Sequence, residues 1–389
     1  MTELLTKPTA AQGARSATLQ YVDELRALCR NALPSMFDPQ EQLFIFCKRR
    51  VNDRVQVEGH SRRYTAITLL GLIEEDDDVC RAILHGGNAF DLCGRLLRDV
   101  ETVENLGDVA LTLWAANLLQ HPDADRAVRR VQQLDPINAP HYVVELAWVL
   151  SALSRDPAAS TEEPYRLAVA NRLMSVFGAS GHLFPHSVGS RVGLRGHVGC
   201  FADQVYPIQA LSYYARAAEN HRALEMARQT AARIVELMGK YGQWWWHYDA
   251  RNGTVTEGYP VYSVHQNSMA PMALFDAHEA GGDDHFDAIE LGLNWLKSTP
   301  ELGGRTLVDP EQLVIWRKVA RREPNKLTRK LQAGASRIHP SLRVPGVNTL
   351  FPPVAVDYEC RPYHLGWVLF AWPQRRMDAL RSMSAERGA

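Results

Sequence analysis

The 389 residues contain no apolar run near the roughly 18 that would suggest a membrane span. The opening stretch, MTELLTKPTAAQGARSATLQ, lacks the apolar core of a secretory signal. No two cysteines have CxxC spacing. Cys29, Cys47, Cys80, Cys93, Cys200 and Cys360 are scattered, so they read as reduced thiols and not as a disulfide framework. Neither sign of charge is in excess: 43 Lys and Arg face 44 Asp and Glu, so bulk charge does not hold nucleic acid, and no nucleic-acid partner is expected. There is no helical HExxH, no P-loop and no GxGxxG in a strand–turn–helix setting. Cys200, Asp203, Cys360 and His364 have no local ligand spacing, so no metal or cofactor is expected. The absences leave a soluble, cytoplasmic, globular chain, and 46% hydrophobic residues suffice for a large core.

Helical periodicity dominates what is present. Strand-like alternation is confined to short stretches such as Arg50–Glu58 and Val255–Val264. One set of segments is amphipathic: Leu19–Leu33, Val79–Val100, Ala124–Leu134, Pro164–Phe177, His221–Lys240 and His285–Lys297. In His221–Lys240, for example, Leu224, Ala227, Ala231, Ile234 and Met238 form one stripe and the charges lie elsewhere. A second set is apolar nearly all round: Tyr64–Leu72, Asp108–Leu119, Tyr142–Leu153, Ala202–Ala217, Gln266–Ala280 and Tyr363–Trp372. A helix apolar on every side is buried on every side. The two sets alternate, six of each.

The links between them are unequal. Each apolar helix runs to the next amphipathic one through a short link, such as Gln120–Asp123 or Ala218–Asn220. In the other direction Pro34–Arg63, Gly178–Phe201, Tyr241–His265 and Ser298–Pro362 are long. Antiparallel helices joined this way place short turns at one end and elaborate loops at the other, and long loops in a compact domain are often functional. The pattern of elements over residues 18–375 resembles the all-α α/α toroid, six inner helices inside six outer ones. That architecture is shared by the six-hairpin glycosidases and by terpenoid cyclases. Residues 1–17 and 376–389 read as tails.

On that arrangement the inner helices all begin beneath the long loops, and their first residues are polar: Arg63 and Tyr64, Asp108, His141 to Glu145, Asp203 to Tyr206, His265 to Asn267, Tyr363 and His364. Buried polar groups need partners, so a ring of them suggests a ligand. Six converging helix N-termini favour an anion. The stretch GQWWWHYDARNGTVTEGYPVYSVHQNSMAP is the densest. Trp244 and Trp246 share one side of an extended segment and Trp245 takes the other. A turn at Arg251–Gly253 suggests a short β-hairpin over the cleft mouth, where Asp249 and Glu257 could oppose one another as acid and base. Tyr262 and His265, three apart at a loop-to-helix junction, suit proton abstraction beside a carboxylate. Arg317, Arg361 and, in the preceding Gly-rich loop, Arg191 and Arg195 point to an anionic group on the substrate.

These residues support a carbohydrate-active enzyme resembling the six-hairpin glycosidase group and acting on an acidic sugar or oligosaccharide. Hydrolysis would use Asp249, Glu257 or Asp203, whereas lyase or epimerase chemistry would use Tyr262, His265 and His364. The substrate would meet Trp244, Trp246, His247, Tyr259, Gln266, Tyr206, Trp367, Arg317 and Arg361. A terpenoid cyclase-like enzyme is the alternative, and a non-catalytic binding toroid the third. Against the cyclase, the acidic run Glu74–Asp78 falls on the short-turn side, where it reads as a solvated turn.

Overall fold

The two helix classes sort into two concentric rings. The computed structural model describes residues 10–155, 163–189, 195–323, 327–339, 342 and 344–386. In chain order the first helices are α1 (Ala10–Ala32), α2 (Arg62–Leu72), α3 (Asp77–Ile83), α4 (Ala89–Leu97), α5 (Leu106–Leu118) and α6 (Ala124–Gln133). Then come α7 (Val143–Ser154), α8 (Glu163–Met174), α9 (Ala202–Ala218), α10 (His221–Glu236), α11 (Ala270–Glu279) and α12 (Phe286–Lys297). The last are α13 (Leu327–Ile338), α14 (Val347–Leu350), α15 (Pro362–Ala371) and α16 (Gln374–Glu386).

Helices α2, α5, α7, α9, α11 and α15 form the inner ring, each touching the next, and α15 closes back onto α2. Closure depends on two glycines. A Cβ on Gly71 would lie 2.2 Å from the Gly366 carbonyl oxygen, and one on Gly366 would lie 2.6 Å from Thr68 Cα. With no Cβ at either position the two backbones can touch. The inner helices are buried as their composition requires: in α5 every residue from Val109 to Asn117 is buried. Each such Val or Leu contributes about 1.5–3 kcal/mol. Outer helix α10 buries only a stripe, Ala223, Ala227, Thr230, Ala231 and Ile234. Among the described residues no helix is long and apolar enough to cross a membrane.

Three sequence expectations change. The segment Val79–Val100 is not one helix but α3 and α4, broken where His85 and Gly86 take positive φ and restarted where the Asn88 side chain accepts the Asp91 N–H at 2.8 Å. Residues 10–17 and 376–386, read as tails, are helical. Glu75, read as part of a solvated turn, has a side chain only 1% exposed and is paired with Arg26 at 3.3 Å and Arg30 at 2.5 Å.

The strands lie over the inner-helix starts. They are β1 (Phe37–Asp38), β2 (Leu43–Val51), β3 (Arg54–His60), β4 (His141–Tyr142), β5 (Ser187–Val188), β6 (Val198–Cys200) and β7 (His247–Asp249). The rest are β8 (Thr254–Glu257), β9 (Val261–Tyr262), β10 (Val308–Asp309), β11 (Val314–Ile315), β12 (Lys318–Ala320), β13 (Ala355–Asp357) and β14 (Glu359–Cys360). They form small antiparallel sheets: β1–β2–β14 with β3 on β2, β6–β7–β8, β13–β12–β9, and the pairs β4–β5 and β10–β11. Long loops from distant parts of the chain are thereby tied together above the ring.

The fifth inner helix opens differently from the others, with a π-helical turn over His265–Met269 before α11. Pro271, which has no N–H, leaves the Asn267 carbonyl without its usual helical donor. The Trp372 indole N–H supplies one instead, at 2.7 Å. Wide turns of this kind recur at functional sites because they re-aim side chains.

Candidate active site

A cavity of about 260 Å³ sits at the N-terminal ends of the inner helices. Its aromatic wall is Tyr64, Trp148, Tyr206, Trp246, Tyr262 and Tyr363; Arg63, Arg317 and Arg361 supply charge, and His265 completes one side. A larger hollow, about 630 Å³, lies outside the β7–β8 hairpin. The smaller one is the candidate active site because several inner helices deliver polar and aromatic groups to it.

Backing carboxylates hold each arginine in place. Arg63 donates to Asp108 Oδ1 at 2.5 Å and to Asn105 Oδ1 at 2.7 Å. Arg317 donates to Glu359 Oε2 at 3.0 Å and Asp357 Oδ2 at 3.3 Å. Arg361 donates twice to the same Glu359 oxygen, at 2.9 and 2.6 Å, and also to the Tyr64 hydroxyl. Arg49 makes a third guanidinium on Glu359, at 2.6 Å. Glu359 is shared by three guanidiniums, with Asp357 and Glu58 adding to the acid side of the cluster. Arg317 and Arg361 line the cavity and these carboxylates do not, so the face turned to the hollow is positive, which an anionic group would complete. Burial of Glu359 is outweighed by these partners, which hold its carboxyl below the usual range.

Tyr262 and His265 meet as their spacing predicts, ring centroids 4.9 Å apart. The Arg317 guanidinium stands 5.4 Å from the Tyr262 ring. Burial raises the phenol, and Arg317 offsets only part of that rise. His265 stacks on Trp246 (5.7 Å, 13°) and packs on Phe201 at 4.5 Å. Burial pushes its imidazole down to about 3, so it is neutral at pH 7. Its Nδ1 has no hydrogen-bond partner.

The remaining candidates divide. Trp246 and Tyr206 reach the cavity, and Trp367 lies beneath it, fully buried, 6.0 Å from Tyr206. His364 is also outside the lining, fully buried with both ring nitrogens unpartnered; burial and the nearby arginines hold it neutral. Trp244 is core, packed on Phe201 at 5.7 Å, and does not share the cavity face with Trp246. Trp245 packs on Tyr259, whose hydroxyl donates to Glu301 at 2.7 Å, and neither ring is part of the lining. Gln266 is buried and donates to the Tyr262 carbonyl at 3.3 Å.

Asp249 and Glu257 do not oppose one another. The tight turn at residues 250–253 sets Asp249 opposite Thr254, three positions short of Glu257, and a bulge between His247 and Tyr248 brings Glu257 onto His247. Asp249 is fully buried against Arg251, at 2.7 and 3.0 Å. Glu257 accepts from Arg321 at 3.1 Å and from the Tyr259 N–H at 2.9 Å, facing the outer hollow. His247 is buried with its Nε2 3.2 Å from Arg195, which with burial keeps it neutral. Arg191 lies outside the described residues. Asp203, in the first turn of α9, is fully buried with His186 at 2.9 Å, next to lining residue Ala202.

Trp148 is the residue that sequence reasoning missed. It lies one turn after Val144 on α7, and both line the cavity. An i, i+4 pair marks one face. In a helix apolar all round, nothing in the sequence says that this face is the one turned to the hole.

No family model matches the chain, and no curated protein matches its sequence. Among solved structures the chain is similar to an unsaturated glucuronyl hydrolase specific for heparin, at a TM-score of 0.62 and 13% identity, covering 93% of this chain and 98% of that one. It is also similar to an unsaturated glucuronyl hydrolase from Bacillus sp. GL1, responsible for the degradation of glycosaminoglycan (TM-score 0.57, 13% identity, 91% and 95% covered). A possible member of the GH105 family from Salmonella enterica matches at a TM-score of 0.59 and 10% identity, with 98% of both chains covered. These matches span nearly the whole of each chain and show that the fold is the α/α toroid.

Proposed function

We propose that this chain is a carbohydrate-active enzyme acting on an acidic sugar or oligosaccharide in the central cavity. The observation that carries the reading is the pairing of three fixed guanidiniums, Arg63, Arg317 and Arg361, with a continuous aromatic wall in one hollow. Planar guanidiniums suit a carboxylate, and aromatic faces suit the apolar faces of sugar rings. Arg317 and Arg361 hold the sugar carboxylate, Trp246, Tyr206 and Trp148 pack on the rings, and Tyr262 beside His265 handles the proton. The structural neighbours named as glucuronyl hydrolases favour hydrolysis as the reaction. A lyase or epimerase is the second reading. It is favoured by the lining itself, which among the described residues holds Tyr262 and His265 but no carboxylate. Six unpaired cysteines suit a reducing, cytoplasmic setting.

Mass spectrometry of products from a panel of uronic-acid oligosaccharides tests the reading and separates the reactions. Run in D₂O, hydrolysis yields fragments that together gain one solvent water, a lyase yields an unsaturated fragment with no such gain, and an epimerase leaves the chain intact but exchanges the abstracted hydrogen for deuterium, a gain of one mass unit. If no acidic oligosaccharide is altered, the proposal fails.

A further inference from the structure

Beside the cavity, two stretches of chain bring three different metal-ligating side chains together. Cys200 ends β6 and Asp203 lies in the first turn of α9. His186 comes from the loop just ahead of β5. That loop is pinned by the β4–β5 pairing, by the Val143 N–H donating to the His186 carbonyl at 3.0 Å, and by the Tyr142 ring 4.7 Å from the imidazole. One donor atom from each of the three residues lies within 4.8 Å of the others.

The partners at this spot leave one valence open. Asp203 Oδ2 is 2.9 Å from His186 Nδ1 and accepts the Cys200 N–H at 2.7 Å. Its other oxygen, Oδ1, has no partner, although the residue is fully buried. A dry carboxylate oxygen with nothing to bind is costly, and a cation would satisfy it. His186 is 47% exposed at its side chain while Asp203 is fully buried, so the cluster opens to solvent on the imidazole side.

We propose that His186, Cys200 and Asp203 form a binding site for one zinc-like divalent cation. A thiolate, an imidazole and a carboxylate suit a borderline-soft ion with tetrahedral preference, and not magnesium or calcium, which take oxygen ligands. Three protein ligands and an exposed side leave the fourth position to water, the arrangement of open rather than closed zinc sites. On binding, the Cys200 thiol proton passes to solvent, and the thiolate and carboxylate together balance the two charges of the ion. Arg195 stands near Cys200 and His186. Its charge opposes any cation there, and the two anionic ligands, thiolate and carboxylate, are what offset it.

Elemental analysis of the full chain after dialysis against Zn²⁺ and gel filtration tests this. One zinc per chain is expected. Co²⁺ loading is expected to give a near-ultraviolet sulfur-to-cobalt charge-transfer band. Cys200→Ser should abolish that band and His186→Ala should weaken Zn²⁺ binding at least about 10-fold, both with unchanged circular dichroism. Cys360→Ser, a buried thiol remote from the cluster's ligands, should leave both readouts as they are. Wild-type protein without zinc above the buffer level, or Cys200→Ser and His186→Ala variants that bind like wild type, would overturn the proposal. Metal content is read without any sugar, so it stands or falls apart from the carbohydrate reading.

Discussion

The two ends of the toroid bury polar groups in opposite ways. At the short-turn end the buried carboxylates find partners, although Gln209 Oε1 and the Nε of Arg26 and Arg30 do not. Asp276 accepts from Arg376 at 2.9 Å, Gln209 at 2.7 Å and the Tyr213 hydroxyl at 2.8 Å, and Glu75 lies between Arg26 and Arg30. At the long-loop end His265 Nδ1, both nitrogens of His364 and Asp203 Oδ1 have no partner, and three arginines line the cavity with no carboxylate among its described lining residues. The lesson is that burial alone does not mark a site. A network whose carboxylates are paired locks helices together, whereas buried imidazoles and a carboxylate oxygen left unpaired beside a cavity are where a ligand supplies what is missing.

The largest effect that would sharpen this contrast is at the closed end. Arg376→Ala removes the partner of a buried carboxylate and should cost about 3–5 kcal/mol of stability in urea unfolding, while folded protein keeps its turnover. A normal unfolding midpoint would break the comparison. Tyr262→Phe should do the reverse, lowering kcat about 10³-fold, about 4 kcal/mol, with little change in melting temperature; wild-type kcat would remove Tyr262 from the reaction. Between the ends, Gly366→Ala should cost about 1–3 kcal/mol through overpacking against Thr68, and an unchanged melting temperature would deny the close contact of α2 and α15.

Acid should weaken the fold through the open end. His265 stays neutral in the folded protein down to about 3, while the unfolded chain protonates it from 6.5. The unfolded state therefore binds more protons as pH falls, and stability drops by about 1.4 kcal/mol per pH unit below about 6.5 on this residue's account. His364, held down in the same direction, adds to the slope. Urea midpoints measured from pH 7 to pH 4 should fall less steeply in His265→Gln; equal slopes would mean that the imidazole is not held neutral.

The ring was legible in the sequence because burial on all sides leaves a composition signature, and unequal links say at which end the loops gather. Arg63, Tyr64, His265 and Tyr363 followed from that, as polar starts of apolar helices. The carboxylates did not. The short turn after Asp249 sets it opposite Thr254 and not Glu257, and the partner that Glu257 finds instead, Arg321, lies 64 residues away. The Trp run divides three ways because Phe201, Tyr259 and His265, from separate elements, each take one indole. Periodicity orients a side chain about its own helix, as with Trp148, but not about the common axis of six.

Binding of a uronic-acid oligosaccharide and of its carboxyl-reduced counterpart, measured by calorimetry on wild type and Arg361→Ala, tests the central claim most directly. The account predicts that wild type prefers the acid and that Arg361→Ala loses about 100-fold, about 2.7 kcal/mol, on the acid alone. Equal losses on both ligands, or wild type binding them equally, would contradict it.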